Sequence, residues 1–488
     1  MRFAIAALSL LLSTQAFADV TVSYPISWAQ KFGQPQPFSG LAVADTNAGA
    51  TQDIVTIYLS GPAGGTLSSA ALSSGATLTG SGPYTLTTTP ANLQADVQSL
   101  IYVPASLANT TEDFLLSVAS YQVTQLGTAA TGTIELSNLA LTTEVPYPAP
   151  TGTFTPRNFK GVNIAGAENY YPSSSQYNYI YPASMELDYF ASKGLGLIRM
   201  PVQIRRLQPV SYGPLDPVGR TDEPAVAGSA PGTQTNLLAI KAVLDRALTD
   251  GLYVVIDPHN YGYILDTATN TQRLIGSDPE ATAQFVDWWI RVSTVFQNYP
   301  NVIFGLMNEP NAQTAAQWQS GAAAAISGIA QVTTARWVFI PGTSYTGGHS
   351  WVSSGNGAAW AGYVPPTGMQ IAYEMHEYLD SDYSGSHAVC AGQGSAPMVA
   401  ATQWAQTNNA KIWIGEIGWS QDPSCPPDAT NLMGYFTANE PTYLGWAYWV
   451  GGSQAFYGSY NYTAQPTGYP TGPFTDKPQM SILTGNLN

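Results

Sequence analysis

Hydrophobic and polar positions are distributed in two different ways along this chain, and the change falls near residue 150. From Asp19 to about residue 145, short runs alternate with period two at 54–59, 84–87, 101–103, 114–118 and 134–136. Clusters of Gly, Ser, Thr, Asn and Pro separate them, the pattern of half-buried strands joined by turns. A helical period is visible only around 93–100. From Phe154 onward the apolar runs are nearly continuous, at 159–165, 195–202, 253–259, 302–309, 337–342, 371–378, 412–417 and 443–450. Such runs suit parallel strands covered on both faces. Between several of them lie helical stripes: in 237–248, Ile240, Val243, Leu244, Ala247 and Leu248 share one face, and 281–299 and 315–333 are also predicted helices.

Eight strand–helix units predict a (β/α)₈ TIM barrel with long loops, preceded by an all-β immunoglobulin- or cadherin-like sandwich. Residues 93–121 loosely resemble cadherin-like repeats of bacterial surface proteins. The predicted boundaries are a signal peptide at 1–18, the β-sandwich at 19–145, a Pro-rich linker at 146–155 and the barrel at 156–488. The linker prolines favour extended, semi-stiff backbone, so the two domains are expected to be held near each other.

Arg2, the apolar run 3–12 and Ala16-Phe17-Ala18 have the form of a secretory signal with a small-x-small cleavage site. An exported mature chain starting near Asp19 is expected, extracellular or periplasmic, with no membrane span. In an oxidising compartment Cys390 and Cys425, the two cysteines of the chain, are expected to pair. Closing that loop adds about 3–4 kcal/mol in the chain-entropy model.

Aromatic residues make up 11% and charged residues 10%, which excludes a disordered chain. The formal net charge of −15 argues against nucleic-acid and anionic-membrane partners and is compatible with a neutral polymer such as a polysaccharide. A monomer is expected.

In a (β/α)₈ barrel the chemistry sits at the C-terminal ends of the strands. The polar groups at those ends are Arg199 on the second strand, His259 on the third, Asn308 and Glu309 on the fourth, His376 and Tyr378 on the sixth, Glu416 on the seventh and Trp449 on the eighth. Polar groups at so many independent strand ends are costly to bury without a purpose. Two glutamates at strand ends are the minimum machinery for cutting a glycosidic bond.

These residues carry a resemblance. Arg199-Met200-Pro201, Asp257-Pro258-His259-Asn260-Tyr261, Met307-Asn308-Glu309-Pro310, His376-Glu377-Tyr378, Gly415-Glu416 and Trp449 resemble the core of glycoside hydrolase family 5, retaining (β/α)₈ glycosidases. The segment from His376 to Cys390 is similar to that of the fungal-type endo-β-1,4-glucanases of the family, and it also favours the Cys390–Cys425 disulfide. The resemblance covers roughly Phe159 to the C-terminus. It implies a secreted endo-β-1,4-glucanase (cellulase) that cuts internal bonds of cellulose or related β-glucans with retention and needs no cofactor.

By the same resemblance, Glu309 is the general acid and then the base, and Glu416 is the nucleophile. Arg199 and the Tyr378 hydroxyl would hold Glu416 ionised, while Glu309, partly desolvated and facing a second carboxylate, would keep its proton. Asn308 would bond the sugar 2-hydroxyl, Trp449 would face the sugar before the cut, and His259 and His376 would bond sugar hydroxyls or orient the carboxylates. Tyr261, Trp351, Trp419 and Tyr170 in strand-end loops are either cleft floor or core, and Glu168 either meets a sugar or is solvated.

Other readings stay open at this point. The same mechanism serves mannan, xyloglucan or mixed-linkage glucan, because loop contacts decide the sugar. A barrel without activity would be a carbohydrate-binding surface protein. A metal on His259 and His376 is disfavoured, since neither a His-Glu-x-x-His spacing nor a cysteine ligand pattern exists. The N-terminal region either binds polysaccharide through aromatics such as Trp28 or is a spacer.

Overall fold

The computed structural model describes residues 20–23, 38, 42–46, 50–59, 65–69, 72–81, 83–104, 110–121, 130–141, 146–168, 181–209, 211, 215, 236–266, 271–452, 459–470 and 472–487. The expected signal peptide, Trp28 and Tyr170 lie outside them. The chain divides into two compact units, one made of the N-terminal residues up to Thr142 and one running from Thr143 to Asn488, with Lys31–Gly33 assigned to the second.

The first unit is all-β. An antiparallel sheet has the order Thr77–Gly80, Tyr84–Thr88, Gln52–Leu59, Thr110–Tyr121, Ala130–Leu141. Two strand pairs, Val20–Ser23 with Ala42–Asp45 and Gly65–Ser69 with Leu100–Pro104, complete its described strands. Period-two alternation does what the sequence implies: Val55 and Ile57 on one strand and Tyr84 and Leu86 on its neighbour are buried, together with Leu93 and Val97 of the short helix Leu93–Gln98.

The second unit is a closed barrel of eight parallel strands: β1 (Phe159–Ala165), β2 (Leu197–Val202), β3 (Tyr253–Pro258), β4 (Val302–Gly305), β5 (Trp337–Pro341), β6 (Gln370–Tyr378), β7 (Ile412–Gly418) and β8 (Tyr443–Gly452). β8 pairs back with β1 and closes the ring. The three predicted helices are present as Asn236–Asp250, Pro279–Phe296 and Ala315–Val332. Asp278 caps the second of these by accepting from the Glu280 and Ala281 amides, and Pro279 fills its first position, where no amide hydrogen is needed.

Alternate strand residues face opposite ways. Val162, Ile198, Met200, Val254, Ile256, Phe304, Ile340, Met375 and Ile414 face outward and pack with the helices. Leu197, Val255, Ile303, Phe339, Ala372, Trp413 and Ala447 fill the lumen as an apolar plug. Above it, Asn163, Arg199, Asp257 and Glu374 continue the inward columns of β1, β2, β3 and β6, so a polar floor rests on a dry base.

One predicted strand and the predicted linker differ from what forms. The ladder of β4 stops at Gly305, so Leu306 to Glu309 lie beyond it rather than on the strand. The start of the predicted linker is not free backbone: the Tyr147 amide donates to Val295 O at 2.9 Å and its ring meets Phe296 at 5.8 Å. A disulfide joins Cys390, in the loop after β6, to Cys425 at the start of helix Cys425–Ala438 after β7.

Candidate active site

Arg199 is the hub of the site. Fully buried on β2, it donates through Nη1 to Asn163 Oδ1 at 3.0 Å and Glu416 Oε1 at 2.9 Å. Through Nη2 it reaches Asn308 Oδ1 at 2.8 Å, Glu374 Oε1 at 3.0 Å and Asp257 Oδ2 at 3.1 Å. Burial alone works against its charge, but the carboxylates of Asp257, Glu374, Glu416 and Glu309 outweigh it and hold the guanidinium firmly protonated. Its planar fork of donors is what lets one cation serve residues from β1, β3, β6, β7 and the segment after β4.

Glu416 is 3% exposed and has two fixed oxygens: Oε1 takes Arg199, and Oε2 accepts from the Tyr378 hydroxyl at 2.5 Å. Burial, with Glu416's charge next, pushes the Tyr378 hydroxyl well above its ordinary range, so it stays a donor. Glu416 faces the lumen because of a bulge. Met375 pairs with Ile414 and His376 with Glu416, so Gly415 is an extra residue in β7. Strict alternation from inward Trp413 would have sent Glu416 outward.

Glu309, with its side chain 17% exposed, lies four residues past β4 and has left-handed backbone, φ 41°. That conformation costs a non-glycine residue about 1–3 kcal/mol. Its Oε1 is 2.7 Å from His376 Nδ1, which is also 3.5 Å from Glu416 Oε2. His376 Nε2 lies 3.2 Å from Glu374 Oε1. Burial would lower the imidazole's pKa, but the Glu416 charge and the bonds to Glu309 and Glu374 push it up to about 10. Both ring nitrogens thus lie against carboxylate oxygens. One oxygen each of Glu309 and Glu416 and a His376 nitrogen lie within 4.8 Å of one another.

The remaining predicted residues line the same end of the barrel. His259 Nδ1 is 2.9 Å from Asp257 Oδ2, and the Tyr261 hydroxyl is 3.3 Å from its Nε2. Burial opposes the charged form of His259, but Asp257 raises its pKa on balance. The half-buried Trp449 ring lies nearly parallel to the His259 ring at 5.8 Å. Asn308 presents Oδ1 to Arg199, which leaves its buried Nδ2 without a protein partner. His259 is thus engaged by Asp257 of its own strand, and His376 by Glu374 of its own strand and by Glu309 and Glu416 from two others.

Sequence reasoning left out Glu374 and Asn163 and gave Asp257 no role. The signal was present: Ala372, Glu374, His376 and Tyr378 are spaced by two along β6 and therefore share its inward face. Two aromatics left open between cleft floor and core are core. Trp351 is wholly buried against Tyr373 and Trp404, and Trp419, 1% exposed, packs on Tyr448. Glu168 is not solvated: it is buried and accepts from the Gly166 amide at 2.6 Å.

The cellulase model of glycosyl hydrolase family 5 matches residues 155–452, more than half of the chain. Endoglucanase 1 of Robillarda sp. (strain Y-20) is 33% identical over 238 residues, 47% of this chain, and the chain spans only 61% of that enzyme's length. Endoglucanase gh5-1 of Neurospora crassa is 31% identical over 319 residues, 63% of this chain and 74% of that one. A crystal structure of an endo-beta-1,4-glucanase from Xanthomonas axonopodis pv. citri is similar over 68% of this chain and 98% of its own, with 31% identity and a TM-score of 0.59.

Proposed function

Since the chain belongs to the cellulase family, glycosyl hydrolase family 5, we propose that it is a retaining endo-β-1,4-glucanase acting on cellulose or related β-glucans. The observation that carries the retaining mechanism is the approach of Glu309 and Glu416 oxygens to within 4.8 Å. Retaining enzymes hold their carboxyl groups about 5–5.5 Å apart, whereas inverting ones leave roughly 6.5–9.5 Å for a water.

In the first step Glu416 attacks the anomeric carbon as Glu309 gives its proton to the leaving oxygen. In the second, Glu309 takes a proton from water, which attacks the same carbon and releases Glu416. Arg199 and Tyr378 hold the two Glu416 oxygens and aim the carboxylate at the anomeric carbon. His376, beside both carboxylates, is the group through which the change at one is felt at the other. The unpaired Asn308 Nδ2 is the donor left for the sugar 2-hydroxyl, a contact that strengthens in the oxocarbenium-like state. Trp449 and Tyr261 supply aromatic faces beside the cut, and His259 orients against them.

Further readings go with this one. The chain is exported by the segment 1–18 and works as a monomer, with no nucleic-acid partner. Among the described residues no helix is long and apolar enough to cross a membrane. The segment from His376 to Cys390 aligns the barrel with the fungal-type endoglucanases. The N-terminal unit is an immunoglobulin- or cadherin-like sandwich serving as a spacer, with the boundaries at 145 and 155.

The test is turnover of carboxymethylcellulose, glucomannan and xyloglucan, with the anomeric configuration of a cello-oligosaccharide product followed by NMR. Preferred cutting of the first substrate with β-product formed initially supports the proposal. Preference for a different polysaccharide changes the substrate, and initial α-product ends the retaining mechanism.

A further inference from the structure

We propose that Asp257 is a positioning residue of the reaction: it fixes hydrogen on Nδ1 of His259 and so presents Nε2, beside Tyr261, to a sugar hydroxyl. The proposal rests on the glycosidase reading of the barrel and adds a residue to it.

Asp257, on β3, is 0% exposed. His259 follows two positions later, just past the strand, where its amide donates to Val202 O at 2.8 Å. One oxygen of Asp257 makes all of its bonds. Oδ2 lies 2.9 Å from His259 Nδ1 and 3.1 Å from Arg199 Nη2, while Oδ1 has no hydrogen-bond partner. The position therefore needs one oxygen that two donors can share.

The two donors do not depend on it equally. Arg199 is also held by Asn163, Asn308, Glu374 and Glu416. Among the described residues, His259 Nδ1 meets Asp257 and no other acceptor. The plane of the His259 ring is set by its aromatic neighbours, Trp449 nearly parallel at 5.8 Å and Tyr261 edge-on at 5.3 Å. What these contacts leave open is which nitrogen carries hydrogen, and Asp257 decides it.

A carboxylate accepts and does not donate. Nδ1 therefore brings the hydrogen, in the neutral ring as in the charged one. In the neutral ring Nε2 is then an acceptor, and the Tyr261 hydroxyl is 3.3 Å from it. Burial, with the charges of Glu309 and Glu416 next, pushes that hydroxyl above its ordinary range, so it keeps its hydrogen. Tyr261 is 38% exposed and has left-handed backbone, φ 55°, in a turn fastened by Gln313 Nε2 on Gly262 O at 2.6 Å. Such a conformation persists where its surroundings over-determine it, and the contact with His259 is one of those constraints. An asparagine at 257 both donates and accepts. It would let Nδ1 become the acceptor and move the hydrogen to Nε2, putting a donor where an acceptor stood.

The test reads the ring nitrogens directly. Long-range ¹H–¹⁵N NMR on the full chain, labelled in its four histidines and assigned with His259→Ala, should show hydrogen on Nδ1 of His259 in the wild type and both tautomers in Asp257→Asn. On carboxymethylcellulose, Asp257→Asn should lower kcat/KM by about 10–100-fold, as loss of a group that orients a histidine does. In the His259→Ala background the same substitution should cost almost nothing further, because its effect passes through the ring. An equal loss in that background would mean that Asp257 acts through Arg199, and the proposal falls. A bare Nδ1 in the wild type overturns it as well, and that measurement needs no variant of Asp257 to fold. Absence of turnover by the wild-type chain would overturn the glucanase reading alone, with the ring nitrogens still deciding the role of Asp257.

Discussion

Gly415 and Glu374 face each other across β7 and β6 so closely that a Cβ on the glycine would overlap Oε1 of the glutamate. That oxygen is the one placed between Arg199 Nη2 and His376 Nε2. The missing side chain is therefore a condition for the buried carboxylate, and the carboxylate anchors both cations of the site. Gly415→Ala should displace Glu374 and cost about 1–3 kcal/mol by overpacking. A lower melting temperature with a fall in kcat larger than any change in KM is the expected pair of results. Unchanged kcat in a folded variant would disconnect Glu374 from the chemistry.

Glu309→Gln and Glu416→Gln keep shape and remove the titrating oxygen. Each should lower kcat by about 10³-fold or more with little loss of stability. Added azide separates the roles. With Glu309→Ala it should take up the glycosyl group from the enzyme and give a β-azide product, while with Glu416→Ala it replaces the nucleophile and gives the α-azide. Swapped product configurations would exchange the two assignments.

Tyr378→Phe removes the hydroxyl that donates to Glu416 Oε2 and leaves the ring in place. A loss of roughly 10²-fold in kcat is expected, comparable to removing one preorganised donor from an active site. The melting temperature should hardly move. Circular dichroism and steady-state rates on one soluble β-glucan are sufficient to tell.

His376 gives a pH prediction whose sign follows from its surroundings. Its folded pKa, about 10, lies above the ordinary 6.5, so its ion pairs stabilise the fold fully below pH 6.5 and lose that contribution as pH rises through about 10. Between pH 7 and 10 the wild-type melting temperature should fall more steeply than that of His376→Gln. Parallel curves for the two proteins would show that the imidazole is neutral in the folded state.

Much of the site was legible because the relevant signals are local. The spacing of Ala372, Glu374, His376 and Tyr378 on one strand face, the apolar runs that became strands, and the pairing of the two cysteines all follow from short-range pattern and compartment. Glu374 was overlooked although its column was visible, because a buried carboxylate is interpretable only once its cation is known. Trp351 and Trp419 could not be assigned, since a loop tryptophan packs inward or lines a cleft according to neighbours far away in sequence, here Trp404 and Tyr448.

What the amino-acid order determined by itself is the succession of strands and helices, the change of grammar near residue 150 and the presence of two glutamates near strand ends. Tertiary structure decided how those glutamates meet. The register step at Gly415 turns Glu416 into the lumen, and the left-handed turn at Glu309 brings the other carboxylate back over the ring. Both depend on which residue of one strand pairs with which of the next. Register around a closed ring is a property of all eight strands together, and hydrophobic periodicity, which is read a few residues at a time, does not contain it.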